Sequence, residues 1–115
     1  EPQFLELRVK AEIYVESFDQ IFQVRHDTEW ALAKFIDPIH GNFDGGGWTI
    51  GTIPNVTQLT NVIKSVANIS QIKSVSLSAY LLASGGRQEI NLDHQDQYRF
   101  ALPVSGTHDL YLTLG

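Results

Sequence analysis

The first pattern along the chain is a strict alternation of apolar and polar residues near its start. Between Phe4 and Glu16 every second residue is apolar, and most of the residues between them are charged. Side chains of a β-strand point alternately to opposite faces, so this segment predicts a long strand with one buried face. The predicted buried residues are Leu5, Leu7, Val9, Ala11, Ile13 and Val15.

The period then changes to that of a helix. From Gln20 to Asp37 apolar residues recur every three or four positions, which predicts a helix with one apolar stripe. Asp19 is the expected N-cap. Pro38 is expected to end the helix, because proline disfavours helical geometry in the residue before it.

A glycine-rich loop is expected over residues 40–48, followed by a short extended piece over residues 48–53. Trp48 lies where the two meet. Its large ring suits either the edge of the core or an anchor in an interface, because tryptophan is common where one part of the side chain is buried and the other part contacts water. The sequence leaves both alternatives open for Trp48, and likewise for Trp30 at the edge of the first helix's stripe.

A second helix is predicted over residues 57–67, capped by Asn55 or Thr57. Asn68 is expected to end it in a left-handed conformation, which asparagine tolerates better than most residues.

The second half of the chain returns to strand-like alternation. The longest run covers residues 71–82, and shorter strands are expected at residues 88–92, 100–104 and 109–114. Ser84-Gly85-Gly86 predicts a turn after the long strand.

Two strands that each adjoin a helix predict an α+β fold in which both helices cover one face of a sheet. The expected architecture is a ferredoxin-like open-faced sandwich with a mainly antiparallel sheet. Residues 1–83 are expected to form this sandwich, and residues 84–115 a C-terminal β-hairpin extension packed on the same core. In such a fold, residues 48–53 would have to supply what are normally two strands.

Four short stretches carry a resemblance to a known family. They are Phe35-Ile36-Asp37-Pro38, Gly47-Trp48-Thr49-Ile50-Gly51, the helix-to-strand segment of residues 59–75, and Ala101-Leu102-Pro103-Val104-Ser105-Gly106. In this order they resemble the C-terminal region of the baseplate J-like proteins of contractile tails. One difference is Ala67-Asn68-Ile69, where that family usually has Pro-Gly-Val, although Asn68 can adopt the conformation of that glycine.

The resemblance implies a structural subunit in the baseplate of a phage tail or of a phage-tail-like contractile injection system. Such a subunit binds other proteins to build the wedge or ring of the baseplate. It would be assembled in the bacterial cytoplasm and would then form part of the virion or of the phage-tail-like particle. The implied partners are other baseplate subunits, with a second copy of the chain as a further candidate. No catalytic residues come with the family, so we expect no enzyme activity, no cofactor and no small-molecule substrate.

The amino-acid composition argues against several classes of binding partner and of chemical site. A net charge of −5 disfavours nucleic acid and anionic membranes as partners, and no apolar run reaches the roughly 20 residues of a membrane helix. The absence of cysteine excludes disulfides and thiolate chemistry. Because methionine is also absent and the chain begins with Glu1-Pro2, we expect it to be part of a longer protein.

The histidines do not predict a catalytic or metal site. His26-Asp27, Asp93-His94 and His108-Asp109 each place an imidazole beside a carboxylate, but adjacent side chains rarely face the same way. We therefore expect solvated polar positions. No spacing of three or four ligands suggests zinc, so the sequence predicts no metal.

Aromatic residues on the polar faces of the strands are the candidate interface anchors. With Trp48 they form the predicted set of Phe4, Tyr14, Trp48, Tyr80 and Tyr111. Two other functions stay open: a small-ligand-binding or regulatory domain, which should have a concave apolar pocket, and a small enzyme, which would need an oriented nucleophile or base.

Overall fold

The computed structural model describes residues 3–83 and 85–115, which form an α+β fold, so the predicted class is confirmed. Its strands and helices follow one another as β1 (Gln3–Val15), α1 (Ile21–Ile36), α2 (Val56–Lys64), β2 (Ile69–Ala83), β3 (Gly86–Ile90), β4 (Ala101–Ser105) and β5 (Asp109–Leu114). Short 3-10 turns occupy Phe18–Gln20 and Gln95–Gln97. Ser84 of the predicted turn, and Glu1-Pro2, lie outside the described residues.

The five strands form one strongly curled sheet in which β1 is central. β1 and β2 pair antiparallel, and β3 pairs antiparallel with the end of β2. On its other edge β1 pairs parallel with two strands in succession: β4 lies opposite Gln3–Leu7 and β5 opposite Lys10–Val15. The two C-terminal strands therefore run in the same direction along β1 and do not form the predicted hairpin.

Two further details of the predicted sheet are wrong. The sheet is mixed rather than mainly antiparallel, because both β4 and β5 run parallel to β1. Residues 48–53 contain no strand: the Thr52 amide donates to Thr49 O in a turn, and Gly51 has a positive φ of 85°. A ferredoxin-like sandwich, which would need two strands in that place, is therefore not confirmed.

The core forms between the inner face of β1 and the two helices. All six predicted inward residues of β1 are at most 1% exposed, as the strict alternation requires. The helices contribute the residues that the helical spacing predicts, so their apolar stripes face the same core. These are Val24, Leu32, Phe35 and Ile36 from α1 and Leu59, Val62 and Ile63 from α2.

Local chemistry sets two of the four helix ends as predicted. α1 ends before Pro38, and Asp37 already has an extended ψ of 126°. Asn55 and Gln58 form a reciprocal capping box at the start of α2. α2 ends at Lys64 with Ser65 as its C-cap, earlier than predicted; Asn68 has the expected positive φ of 71° but lies in the turn before β2. The start of α1 differs from the prediction, because Asp19 lies inside a 3-10 turn and caps nothing there.

The inner face of β2 is only half covered. Ala79 is fully buried, whereas Val75, Leu77 and Leu81 pack against the core and keep part of their surface exposed. β1 takes the centre of the sheet, whereas β2 lies between β1 and the short strand β3. This leaves open space beside Leu77.

Candidate protein-interaction surfaces

The outward side of α1 presents three large aromatic side chains to solvent. Phe22 is 83% exposed, Trp30 is 61% exposed, and Phe18 in the preceding 3-10 turn is 73% exposed. Together with two polar residues they recur every fourth position, and those within α1 form a ridge that winds around the helix by about 40° per step. We call this set the aromatic stripe: Phe18, Phe22, His26, Trp30 and Lys34.

The buried side of α1 fixes the direction of the stripe. Val24, Thr28 and Leu32 are completely buried, so the helix cannot rotate to cover its opposite face. At the end of the stripe the Lys34 ammonium lies 5.1 Å from the centroid of the Trp30 ring, a cation–π contact. Several large aromatic residues exposed on one helix mark interaction sites more often than scattered single ones do.

Sequence reasoning singled out Trp30 but missed Phe18 and Phe22. The signal was the four-residue spacing of these residues on the polar side of a predicted helix, where solvated side chains are usual. One exposed aromatic residue on the polar side of a helix is ordinary, whereas three at four-residue spacing are unusual.

The predicted anchors on the outer face of the sheet lie in two separate places. Phe4 and Tyr80 are near one end, where Tyr80 pairs with Glu6, and Tyr14 and Tyr111 are near the other end. Ten residues of β1 separate Phe4 from Tyr14, which corresponds to roughly 33 Å along a strand. The structure therefore does not bring these residues into one patch.

Their accessibility also differs. Phe4 is 41% and Tyr111 53% exposed, whereas Tyr14 and Tyr80 are half-buried. The Tyr80 ring has the Arg8 guanidinium at 4.9 Å and the Arg87 guanidinium at 5.9 Å from its centroid. Intramolecular contacts thus already occupy Tyr80.

Trp48 is a core residue in this fold. It is 7% exposed, its indole Nε1–H donates to Phe35 O at 2.9 Å, and its ring packs edge-on against the Phe35 ring at 5.4 Å. Burial of an indole is favourable when its N–H, the only donor of the side chain, is hydrogen-bonded. Of the two alternatives for Trp48, the structure therefore supports the core and not the exposed anchor.

A groove of about 520 Å³ opens beside the half-covered face of β2. Apolar side chains form most of its wall, and Asn55, Asp93 and Gln95 lie at its polar side. The Gln95 amide is tied to Gly51 O at 3.2 Å, and the Tyr98 hydroxyl donates to Leu92 O at 3.1 Å. The groove has a volume within the range of small-ligand sites.

His108 has a structural role that the sequence did not predict. Val9 lies between the part of β1 that pairs with β4 and the part that pairs with β5, and its N–H donates to His108 Nδ1 at 2.9 Å. The imidazole thus takes the place of a strand carbonyl at the junction of β4 and β5. Burial lowers the pKa of His108, while the carboxylates of Glu29, Asp109 and Glu6 act in the opposite direction.

The same hydrogen bonds determine the tautomer of His108. Because Nδ1 accepts the Val9 N–H, the proton of the neutral ring is on Nε2, which lies 2.8 Å from Ser105 Oγ and donates to it. A serine nucleophile needs the opposite arrangement, with an unprotonated Nε2 that accepts the hydroxyl proton. The Ser105–His108 pair therefore does not constitute an activated nucleophile.

Within residues 3–83 and 85–115, no group of three or more His, Asp or Glu side chains converges as metal ligands would. No helix in the same residues has the length and apolar character to span a membrane. In comparisons with known proteins, no protein-family model matches the chain, and no curated protein matches it significantly.

Proposed function

We propose that this chain is an assembly module that binds other protein subunits through exposed aromatic surface. The observation that carries the proposal is the aromatic stripe, where three large rings at four-residue spacing in the 3-10 turn and α1 are 61–83% exposed. Exposing them to water is unfavourable, and burial against a partner would remove that penalty. The half-exposed outer face of the sheet, with Phe4 and Tyr111, is a second and weaker surface.

The resemblance of residues 35–38, 47–51, 59–75 and 101–106 to baseplate J-like proteins gives the proposal its most specific form. The module would belong to the baseplate of a phage tail or contractile injection system, with neighbouring baseplate subunits and a second copy as partners. Its fold would be a derivative of the ferredoxin-like sandwich that keeps the outer strand-helix units and has lost the strands between them. The α+β class and the two helices on one core are compatible with that derivation.

The proposal also assigns no catalysis to the module. Its support is the tautomer of His108, which is the wrong one for activating Ser105. His108 instead completes the hydrogen bonding of β1.

Light scattering over a concentration series tests the assembly function. The chain should be measured alone and mixed with candidate baseplate subunits. An assembly module is expected to give a mass above that of the monomer in at least one of these samples, and Phe22→Ser is expected to reduce that mass. Phe100→Ser is the matched control, because Phe100 is also exposed, at 60%, but lies outside the stripe. A monomer in every sample would contradict the proposal.

A small-ligand-binding domain is the second candidate, and the groove beside Leu77 specifically favours it. A thermal-shift screen with small molecules is the direct test. A genuine ligand is expected to raise Tm, and Leu77→Trp, which would fill the groove, is expected to abolish the shift. The ligand hypothesis is rejected if Leu77→Trp leaves every observed shift unchanged.

A further inference from the structure

We infer that His108 is a proton-sensitive latch on the link between β4 and β5, closed while its imidazole is neutral and open once the ring gains a proton. The link consists of residues 106–108, and the latch fastens it to the edge of the central strand β1. This conformational device is independent of the proposed assembly function and of the aromatic stripe.

Two hydrogen bonds hold the link against β1. The Gly106 N–H donates to Leu7 O at 2.9 Å, and His108 Nδ1 accepts the Val9 N–H at 2.9 Å. Both bonds lie around the gap on β1 between the residues that pair with β4 and those that pair with β5. A neighbouring strand would make both bonds with its backbone, whereas here the second bond depends on a side chain that can change its charge.

The chain on either side of His108 is held in place without the latch. A Cβ atom at position 106 would lie 2.6 Å from Glu6 Cγ, so glycine allows the link to lie this close to β1. Beyond the link, the Arg25 guanidinium donates to Leu110 O at 2.9 Å, and Leu110 is only 4% exposed. We therefore expect the opening to be confined to the link and not to release the whole of β5.

A proton on Nδ1 is incompatible with the closed latch. In the neutral ring the proton is on Nε2, which donates to Ser105 Oγ at 2.8 Å and leaves Nδ1 free to accept. An imidazolium donates from both nitrogens, so its Nδ1–H would face the Val9 N–H. Two donors cannot form a hydrogen bond with each other, and the charged ring must therefore move away from Val9.

The charged ring has room and a partner beside the link. A cleft of about 330 Å³ adjoins His108, and Glu29 of α1 forms part of its wall. Among the described residues, the charges that act on the imidazole are the carboxylates of Glu29, of Glu6 in β1 and of Asp109 in β5, while β4 contributes the uncharged Ser105. A ring that turns into the cleft would exchange the Val9 hydrogen bond for the attraction of Glu29.

Burial determines the direction of the pH response. It lowers the pKa of His108 below the usual 6.5, against the effect of the three carboxylates, so the latch is closed at neutral pH. The ring gains its proton only as the pH falls below about 6.5 and through the pKa of the folded state. The latch is therefore expected to open in mild acid and to close again when the pH is raised.

Amide hydrogen exchange, measured by NMR on the whole chain, tests the latch at its own hydrogen bonds. The protection factors of the Val9 and Gly106 amides should fall at least about fivefold between about pH 7.5 and about pH 5, as loss of a hydrogen bond implies. The Gly51 N–H, which donates to Ala101 O at the opposite end of β4, is the reference and should keep its protection. Proton–nitrogen spectra of the imidazole should show His108 gaining its proton over the same pH interval.

Two variants separate the effect of the proton from that of the hydrogen bond. His108→Asn keeps an acceptor for Val9 but has no group that gains a proton in this interval, so the protection of Val9 should no longer depend on pH. Glu29→Gln removes the charge that favours the open ring, so the latch should open at a lower pH. Asp96→Asn removes an exposed carboxylate from the 3-10 turn before β4 and should leave the titration of His108 unchanged.

Four results would overturn the latch. Val9 could keep its protection while His108 becomes charged, or the loss of protection could extend equally to Gly51, which would indicate general destabilisation in acid. His108→Asn could retain the pH-dependent loss of the natural chain, or Glu29→Gln could open at the same pH as the natural chain. Glu29 is exposed, so its variant is expected to fold and to decide the question even if His108→Asn does not fold.

Discussion

Replacing His108 should reveal how much stability one side chain contributes by completing the hydrogen bonds of a central strand. His108→Ala removes the acceptor of the Val9 N–H, and Val9 is only 1% exposed. A buried donor left without a partner costs about 1–3 kcal/mol, and loss of the Ser105 contact adds at most about 1 kcal/mol. We therefore expect the free energy of unfolding to fall by about 1–4 kcal/mol.

Urea denaturation followed by tryptophan fluorescence is a suitable assay, because Trp48 is buried and its environment changes on unfolding. Two variants serve as controls. His26→Ala, at an exposed position, should change stability by less than about 0.5 kcal/mol. His108→Asn should recover much of the loss, because the amide Oδ1 can take the place of Nδ1 as an acceptor.

The pH dependence gives an independent check with a definite sign. Burial lowers the pKa of His108 in the folded state below its usual value of 6.5, so the unfolded chain binds more protons near and below that pH. The contribution of His108 is therefore fully present above about pH 6.5 and is lost as the pH falls towards the folded pKa. The natural chain should lose more stability than His108→Asn over this interval.

The role given to His108 is refuted by either of two results. The first is a loss for His108→Ala no larger than that for His26→Ala. The second is an identical decrease in stability with falling pH for the natural chain and His108→Asn.

Three further predictions concern single positions. Thr28→Val should raise the free energy of unfolding by about 1 kcal/mol, because the Thr28 hydroxyl is buried and has no hydrogen-bond partner among the described residues. An unchanged urea midpoint would contradict this prediction. Gly41→Ala should lower Tm strongly, because a methyl group there would overlap Phe35 O and Asp37 O. Gly46→Ala is the control and should be tolerated, because a methyl group there would meet only the Asp44 side chain. Equal melting temperatures for the two variants would show that the loop can rearrange and would contradict the prediction. Asn55→Ala should cost about 1 kcal/mol by removing the capping box of α2, and Thr57→Ala, one residue into the helix, should cost less in the same assay.

Local sequence determined most of the regular structure. Alternation over residues 4–16 fixed β1 and its buried face, because the direction of a strand side chain depends only on whether its position is odd or even. The helical spacing fixed the inward residues of α1 and α2 for a similar reason. Pro38, Asn55 and Asn68 acted through their own backbone and side-chain chemistry, which needs no distant partner.

The candidate sites could be predicted only in part. Trp48 was ambiguous because a tryptophan suits both a core and an interface, and only the position of the Phe35 carbonyl decided the outcome. Phe22 was visible in the sequence as part of a four-residue spacing, but its 83% exposure depends on nothing else folding over α1. His108 gave no sequence signal, since its partner Val9 lies 99 positions away in the chain.

The choice of strand partners was decided by the tertiary structure alone. The sequences of β4 and β5 show that each is a strand, but not that both run parallel to β1 along one edge. The direction in which β4 and β5 pair depends on which edge remains open once β1 and β2 have paired and the helices have covered one face of the sheet. The open edge and the covered face are both properties of the whole chain. The sequence by itself therefore established the elements and their buried faces, whereas long-range packing determined the sheet order, the buried Trp48, the histidine at the strand junction and the exposed aromatic stripe.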